Sequence, residues 1–82
     1  MLQPRSTAHS TEYDFSGYRR PACYVMALVA LKTASPQTTL RFRVDNILVA
    51  HWLSARLKNQ SYFAQTHHDA HSAWVTVQTN QV

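Results

Sequence analysis

The sequence changes from a strand pattern to a helix pattern at Asp14-Phe15-Ser16-Gly17-Tyr18-Arg19-Arg20-Pro21-Ala22-Cys23. Gly17 is the only glycine of the 82-residue chain, and a turn through positive φ has little steric cost only at glycine. Pro21 has no N–H and a fixed φ, so it suits the first turn of a helix. The segment therefore predicts a short strand, Glu12 to Phe15, that bends at Gly17 and enters a helix from Pro21 to Ala34. This helix is apolar nearly all round, so we expect other elements to cover it well.

These residues resemble the signature of the TusA/SirA-type sulfur carriers, a sulfurtransferase family whose motif reads Asp-x-x-Gly-x-x-Cys-Pro-x-Pro. Asp14, Gly17 and Pro21 stand at matching positions. Arg20 takes the place of the sulfur-carrying cysteine, and Ala22-Cys23 take the last two places. The resemblance extends in spacing and pattern from Tyr13 to Gln78. It implies a role in sulfur relay, in which a persulfide is received from a cysteine desulfurase and delivered to an acceptor protein.

Arginine cannot hold a persulfide, so Cys23, the only cysteine of the chain, is the candidate catalytic residue for sulfur carriage. It would lie about one helical turn from Arg20 and near the same surface. The helix N-terminus, Arg19 and Arg20 are expected to lower the pKa of its thiol. The alternative is a small buried hydrophobic side chain, which is how free cysteine usually behaves. The chain is thus either a persulfide carrier or an accessory to one.

Arg19 and Arg20 are candidates for docking an acidic partner or for binding an anion at the helix end. The alternative is that they are solvated loop side chains. A cation at a helix N-terminus is unfavourable by about 0.3–1 kcal/mol, so stability supplies no reason for Arg20. Asp14 is expected to stabilise the turn by accepting hydrogen bonds from local N–H groups.

Residues 38–44 alternate between apolar and polar side chains, which predicts a half-buried strand whose basic face carries Arg41 and Arg43. With Tyr62 or Trp74 beside them, these arginines would form a surface on which single-stranded RNA can stack. An ordinary solvated sheet face is the alternative. The second functional hypothesis is therefore a non-catalytic binding module, for a protein or for RNA, on the same fold.

The order of predicted elements is β-α-β-α-β-β. Asp45 and Asn46 offer N-cap side chains to a second helix over residues 47–58, and two more strands follow at residues 61–66 and 73–79. The pattern does not decide which face of the last strand is inside. A chain of this size packs economically as one sheet with both helices on one face, and the resemblance implies that the four-stranded sheet is mixed. The predicted fold class is therefore α/β, in the form of an α+β two-layer sandwich.

One small domain is expected over residues 12–80, after a flexible leader at residues 1–11. The net charge of +4 is compatible with an acidic protein or RNA as partner. A single cysteine indicates a reducing compartment, so a cytoplasmic location is expected. The apolar run at residues 22–31 is shorter than the roughly 20 residues that a membrane-spanning helix needs. Neither a membrane nor DNA is expected as a partner, and no cofactor is expected.

The run His67-His68-Asp69-Ala70-His71 contains side chains of the type that zinc or nickel takes. It matches no known ligand spacing, and Cys23 lies elsewhere in the sequence. A polar hairpin loop, and no metal site, is therefore predicted here.

Overall fold

The computed structural model describes residues 5–7, 10–35 and 37–79. The elements in chain order are β1 (Arg5–Thr7), β2 (Ser10–Asp14), α1 (Arg20–Thr33), β3 (Thr39–Val44), α2 (Ile47–Asn59), β4 (Phe63–His68) and β5 (Ala73–Gln78). Both helices and the last four strands begin and end within two residues of their predicted bounds.

The strands form one mixed sheet in the order β1-β2-β3-β5-β4. β2 and β3 are parallel, as the connection through α1 requires, and the other neighbouring pairs are antiparallel. Buried side chains from α1, α2 and one face of the sheet belong to a single hydrophobic core. The predicted two-layer α+β fold, with both helices on one face of a mixed sheet, is therefore confirmed.

The short strand β1 adds a fifth strand that the sequence pattern did not predict. Its three residues pair antiparallel with Ser10–Glu12 at the edge of the sheet. The sheet therefore includes residues that precede residue 12, the predicted start of the domain. Strand pairing joins backbone groups, so an edge strand can form without the alternating pattern by which strands are recognised. Residues 1–4, 8 and 9 of the predicted leader lie outside the described residues.

The core is built around stacked aromatic rings at the end of β2. Phe15 and Phe42 are almost fully buried, and their ring centroids lie 5.2 Å apart. Val75 and Val77 are buried on the same side of the sheet, whereas Trp74 and Thr76 lie on the opposite side and are half-buried. This placement decides which face of the last strand is inside. The buried apolar side chains are Phe15, Cys23, Ala27, Ala30, Leu31, Leu40, Phe42, Val44, Val49, Ala50, Leu53, Leu57, Ala64, Ala73, Val75 and Val77.

Helix α1 is less covered than its apolar composition predicts. Its buried face is narrow and contains Cys23, Ala27, Ala30 and Leu31, while Val25 and Val29 are 56% and 52% exposed. The expectation that the whole helix is well covered is therefore wrong, because a two-layer fold offers a helix only one side to pack on. Among the described residues, neither helix is both long and apolar enough to cross a membrane.

Candidate functional site

The turn between β2 and α1 is held by two carboxylates. The Asp14 Oδ1 atom accepts a hydrogen bond from the Ser16 N–H at 2.9 Å, as predicted. The pKa of Asp14 is lowered first by hydrogen bonding with the Ser16 side chain and then by this bond from the Ser16 N–H. Gly17 has a φ of 84°, which lies in the left-handed region expected for it. Its N–H donates to the Asp45 Oδ1 atom at 2.8 Å. The turn is therefore stabilised both locally and from the end of β3.

Asp45 has a different role from the one predicted for it. Asn46 alone caps α2, with its Oδ1 atom accepting from the Val49 N–H at 3.1 Å, and Asp45 reaches across to Gly17 instead. The sequence pattern did not predict this contact, because it follows from the parallel pairing of β2 and β3. Parallel neighbours end at the same edge of a sheet, so the residue after β3 lies beside the turn after β2.

The N-terminal end of α1 is electropositive. The helix begins at Arg20 with Arg19 as its N-cap residue, and Pro21 lies in the first turn as predicted. Arg19 and Arg20 are both exposed. The first turn contains no acidic residue, so two guanidinium groups and the positive end of the helix dipole occupy the same place. We call this region, Arg19 to Pro21, the cationic tip.

Cys23 is not part of the exposed tip. Its side chain is fully buried in the core, and the Sγ–H lies within hydrogen-bonding distance of the Tyr18 carbonyl oxygen, at 3.6 Å. Burial raises the pKa of the Cys23 thiol, and the charge of Asp45 raises the pKa further. The predicted lowering of this pKa is therefore wrong, because the loss of water around the thiolate outweighs the hydrogen bond from the Cys23 backbone that favours it. Cys23 follows the alternative that the sequence left open, a small buried side chain.

The side of the sheet away from the helices, which we call the outer sheet face, presents Glu12, Asp14, Arg41, Arg43, Phe63, Gln65, His67, Trp74 and Thr76. The Arg41 guanidinium lies over the Trp74 ring, 4.3 Å from its centroid, and the Arg41 Nε atom is 3.7 Å from a Glu12 carboxylate oxygen. Arg43 donates a hydrogen bond to the Ser72 hydroxyl at 3.2 Å. The structure thus brings together Arg41, Arg43 and Trp74 as the sequence suggested.

One aromatic residue of this face differs from the prediction. Tyr62 packs against the core, whereas Phe63 is 67% exposed. Phe63 is adjacent to the buried Ala64 in β4, so it points to the opposite face of the sheet. Sequence reasoning missed Phe63 because the first residues of β4 do not alternate clearly enough to show their inside and outside positions.

The loop between β4 and β5 is organised by Asp69. Its Oδ1 atom accepts hydrogen bonds from the N–H groups of His71 and Ser72, both at 2.8 Å, and these bonds lower the pKa of Asp69. A hairpin loop is present here as predicted. Among the described residues, no three histidine, cysteine or acidic side chains are grouped closely enough to hold a metal ion.

Comparisons with known proteins agree with this fold. No family model and no curated protein matches the chain. The crystal structure of the SirA-like protein from Desulfitobacterium hafniense is similar, with a TM-score of 0.71 and 19% sequence identity. The similarity covers 85% of this chain and 97% of that one. The chain therefore has a SirA-like fold.

Proposed function

We propose that the chain takes part in sulfur relay as an accessory protein, which docks a relay protein through its cationic tip and carries no sulfur itself. The observation on which this depends is the difference in exposure between two residues in the first turn of α1. Arg20, at the position that the resemblance assigns to the carrier cysteine, is exposed, and Cys23 is fully buried. The SirA-like fold and the motif residues Asp14, Gly17 and Pro21 support the link to sulfur relay.

A sulfur carrier needs an accessible thiolate. In the transfer step, that thiolate attacks the outer sulfur of a donor persulfide, a new S–S bond forms, the donor S–S bond breaks, and the donor is released as a thiolate. The pKa of Cys23 is raised by burial, so its thiolate is rare near neutral pH. The attacking atom would also have to leave the core. Direct carriage is therefore disfavoured on both counts.

The cationic tip fits the docking role. Two exposed arginines at a helix N-terminus do not stabilise the isolated protein, since cations are unfavourable there. An acidic surface placed against the tip would interact with both guanidinium groups and with the helix dipole. A cysteine desulfurase or an acceptor protein with an acidic surface is the partner that the proposal predicts.

The test is to restore the missing thiol. Arg20→Cys, made together with Cys23→Ser, places one exposed cysteine at the first position of α1, where the helix dipole and Arg19 lower its pKa. After incubation with a cysteine desulfurase and cysteine, intact mass should show this variant gaining one sulfur atom that a reductant removes. The unchanged protein should bind the desulfurase and gain none.

Two outcomes contradict the proposal. A gain of one sulfur by the unchanged protein that Cys23→Ser abolishes would make the chain a carrier. Failure of the unchanged protein to bind either a desulfurase or an acceptor, together with no gain by the restored variant, would remove it from sulfur relay.

A further inference from the structure

The outer sheet face combines exposed charge with exposed aromatic surface, and no described helix covers it. We propose that this face binds single-stranded RNA. The proposal goes beyond sulfur relay and uses a surface on the side of the sheet opposite to α1 and α2. Its elements are two arginines on β3, an indole ring on β5 and a phenyl ring on β4.

The aromatic side chains supply the stacking platform. Phe63 is 67% exposed, and its ring therefore contributes little to the core. Trp74 pairs with His67, and Phe63 pairs with Gln78, so the two rings are about 13 Å apart along the strand direction. Bases of a single strand stack on aromatic rings and on arginine guanidinium planes. The Arg41 guanidinium packs over the Trp74 ring, so a base at this position would stack on the outer plane of the guanidinium.

The two arginines of this face attract phosphate groups. Arg41 and Arg43 are exposed and lie on the central strand β3, between Glu12 and Asp14 of β2 and the aromatic side chains of β5 and β4. The contact between Arg41 and Glu12 is 3.7 Å long, with both side chains exposed, and such a pair contributes little stability. A phosphate can therefore replace the Glu12 carboxylate at low cost. The net charge of +4 adds a general attraction.

The aromatic surface distinguishes RNA single strands from other acidic ligands. An acidic peptide would use the arginines but would leave Phe63 exposed. A duplex hides the faces of its bases, so it would gain nothing from Phe63 or Trp74. Gln65, Thr76 and His67 lie around the rings and offer hydrogen-bonding groups to ribose 2′-hydroxyls.

The test is fluorescence anisotropy with a labelled oligouridine of about 12 nucleotides, a length within the range of single-strand sites. Phe63→Ala should raise the Kd about tenfold, because it removes one stacking platform without touching the core. The double variant Arg41→Gln with Arg43→Gln should raise the Kd more than tenfold. It should also reduce the slope of log K against log salt by about 1.4, because each phosphate contact to a single strand contributes about 0.7.

The matched control is Arg56→Gln with Lys58→Gln. Both residues are exposed in the last turn of α2, away from the outer sheet face, and this variant lowers the net charge by the same amount. It should keep the Kd within about twofold and leave the salt slope nearly unchanged. Far-UV circular dichroism checks that every variant is folded.

A spectroscopic readout locates the RNA. Trp52→Phe leaves Trp74 as the only tryptophan, since the chain has two. RNA added to this variant should quench the Trp74 fluorescence at the same concentrations that change the anisotropy. Absence of quenching during binding would place the RNA elsewhere and contradict the proposal.

The proposal would be overturned by no binding of oligouridine, by equal binding of duplex RNA or by tighter binding of single-stranded DNA. It would also be overturned if the Arg41→Gln with Arg43→Gln variant and its control, the double variant on α2, lost the same affinity for RNA. The last result would show that net charge alone attracts the RNA. Saturation of the face by an acidic peptide without any RNA binding would also exclude RNA as the ligand. None of these results bears on the cationic tip, so the proposed role in sulfur relay is tested separately.

Discussion

Gly17 shows how one residue's backbone conformation sets the direction of a helix. Its φ of 84° turns the chain from β2 towards α1, and its N–H is bonded to Asp45, which lies 28 residues further along the chain. A Cβ atom built at Gly17 would meet no atom within 4 Å. Glycine is therefore required here because of the positive φ angle, and not because a side chain would lack space.

Gly17→Ala should lower the free energy of unfolding by about 1–2 kcal/mol, which is the cost of placing a non-glycine residue in the left-handed region. The measurement is the midpoint of urea denaturation. Gly17→Asn is the matched control and should lose less, since asparagine enters this region more readily. Equal stability of the Gly17→Ala variant and the unchanged protein would mean that the turn can relax out of its observed conformation.

Cys23 illustrates at the same scale that a position in the sequence does not determine a chemical role. It lies three positions after Arg20, yet Arg20 is exposed and Cys23 is fully buried. The raised pKa of the Cys23 thiol follows from this burial. Its contribution to the protein is packing, and any role in sulfur transfer would require α1 to move.

At the scale of the element, different parts of α1 pack on the core, face the solvent and present the cationic tip. One side packs through small residues such as Ala27 and Ala30, while Val25 and Val29 face outwards. The N-terminal end presents the cationic tip, and Lys32 lies in the last turn, where a cation is favoured. The unfavourable charges of α1 are therefore confined to the end that we propose as a docking site.

Charge reversal separates docking from stability. Arg19→Glu with Arg20→Glu should raise the free energy of unfolding by roughly 0.3–1 kcal/mol per residue, since acidic side chains are favourable at a helix N-terminus. The same variant should bind a cysteine desulfurase at least tenfold more weakly, as measured by isothermal titration calorimetry. A stable protein with weakened binding cannot be explained by loss of the fold.

The control for this variant is Arg56→Glu with Lys58→Glu, a charge reversal at the C-terminal end of a helix. These residues are in the last turn of α2, where cations are favourable, so reversal should lower stability and leave desulfurase binding unchanged. If both reversed variants lose the same affinity, the overall charge of the protein, rather than the cationic tip, attracts the partner.

At the scale of the whole molecule, the sheet divides the protein into two sides. One side is closed by α1 and α2 around a single core, and the other is the outer sheet face with its exposed arginines and rings. The two proposed binding regions, the cationic tip and the outer sheet face, do not share a residue. Each can therefore be altered without removing the other.

The stability of the whole molecule should depend on pH in both directions. The pKa values of Asp14 and Asp69 are lowered in the folded state, so protonation favours unfolding, and their contribution is lost as the pH falls below about 4. The pKa of Cys23 is raised on folding. Its contribution is therefore fully present below about pH 8.5 and is lost as the pH rises through the folded value.

Urea denaturation across this pH range checks the prediction. Asp14→Asn should reduce the loss of stability on the acid side, and Cys23→Ala should reduce the loss on the alkaline side, each relative to the unchanged protein at the same pH. An alkaline loss that is unaffected by Cys23→Ala would show that other groups, such as the tyrosines, cause it.

The amino-acid sequence by itself determined the order of elements from β2 to β5, the turn at Gly17, the place of Pro21 in the first turn of α1 and the buried face of β3 at Leu40, Phe42 and Val44. These features depend on local properties, namely the steric freedom of glycine, the fixed φ of proline and the period-2 alternation of side chains, so they can be predicted from residues near one another in the chain.

Only the tertiary structure decided the burial of Cys23, the bond from Asp45 to Gly17, the exposure of Phe63 and the addition of β1. Each of these depends on what the rest of the fold places beside the residue. The bond between Gly17 and Asp45 spans 28 residues and exists because β2 and β3 are parallel neighbours. The pKa of Cys23 likewise follows from the core that surrounds it, because desolvation is a property of the packed protein and not of the segment.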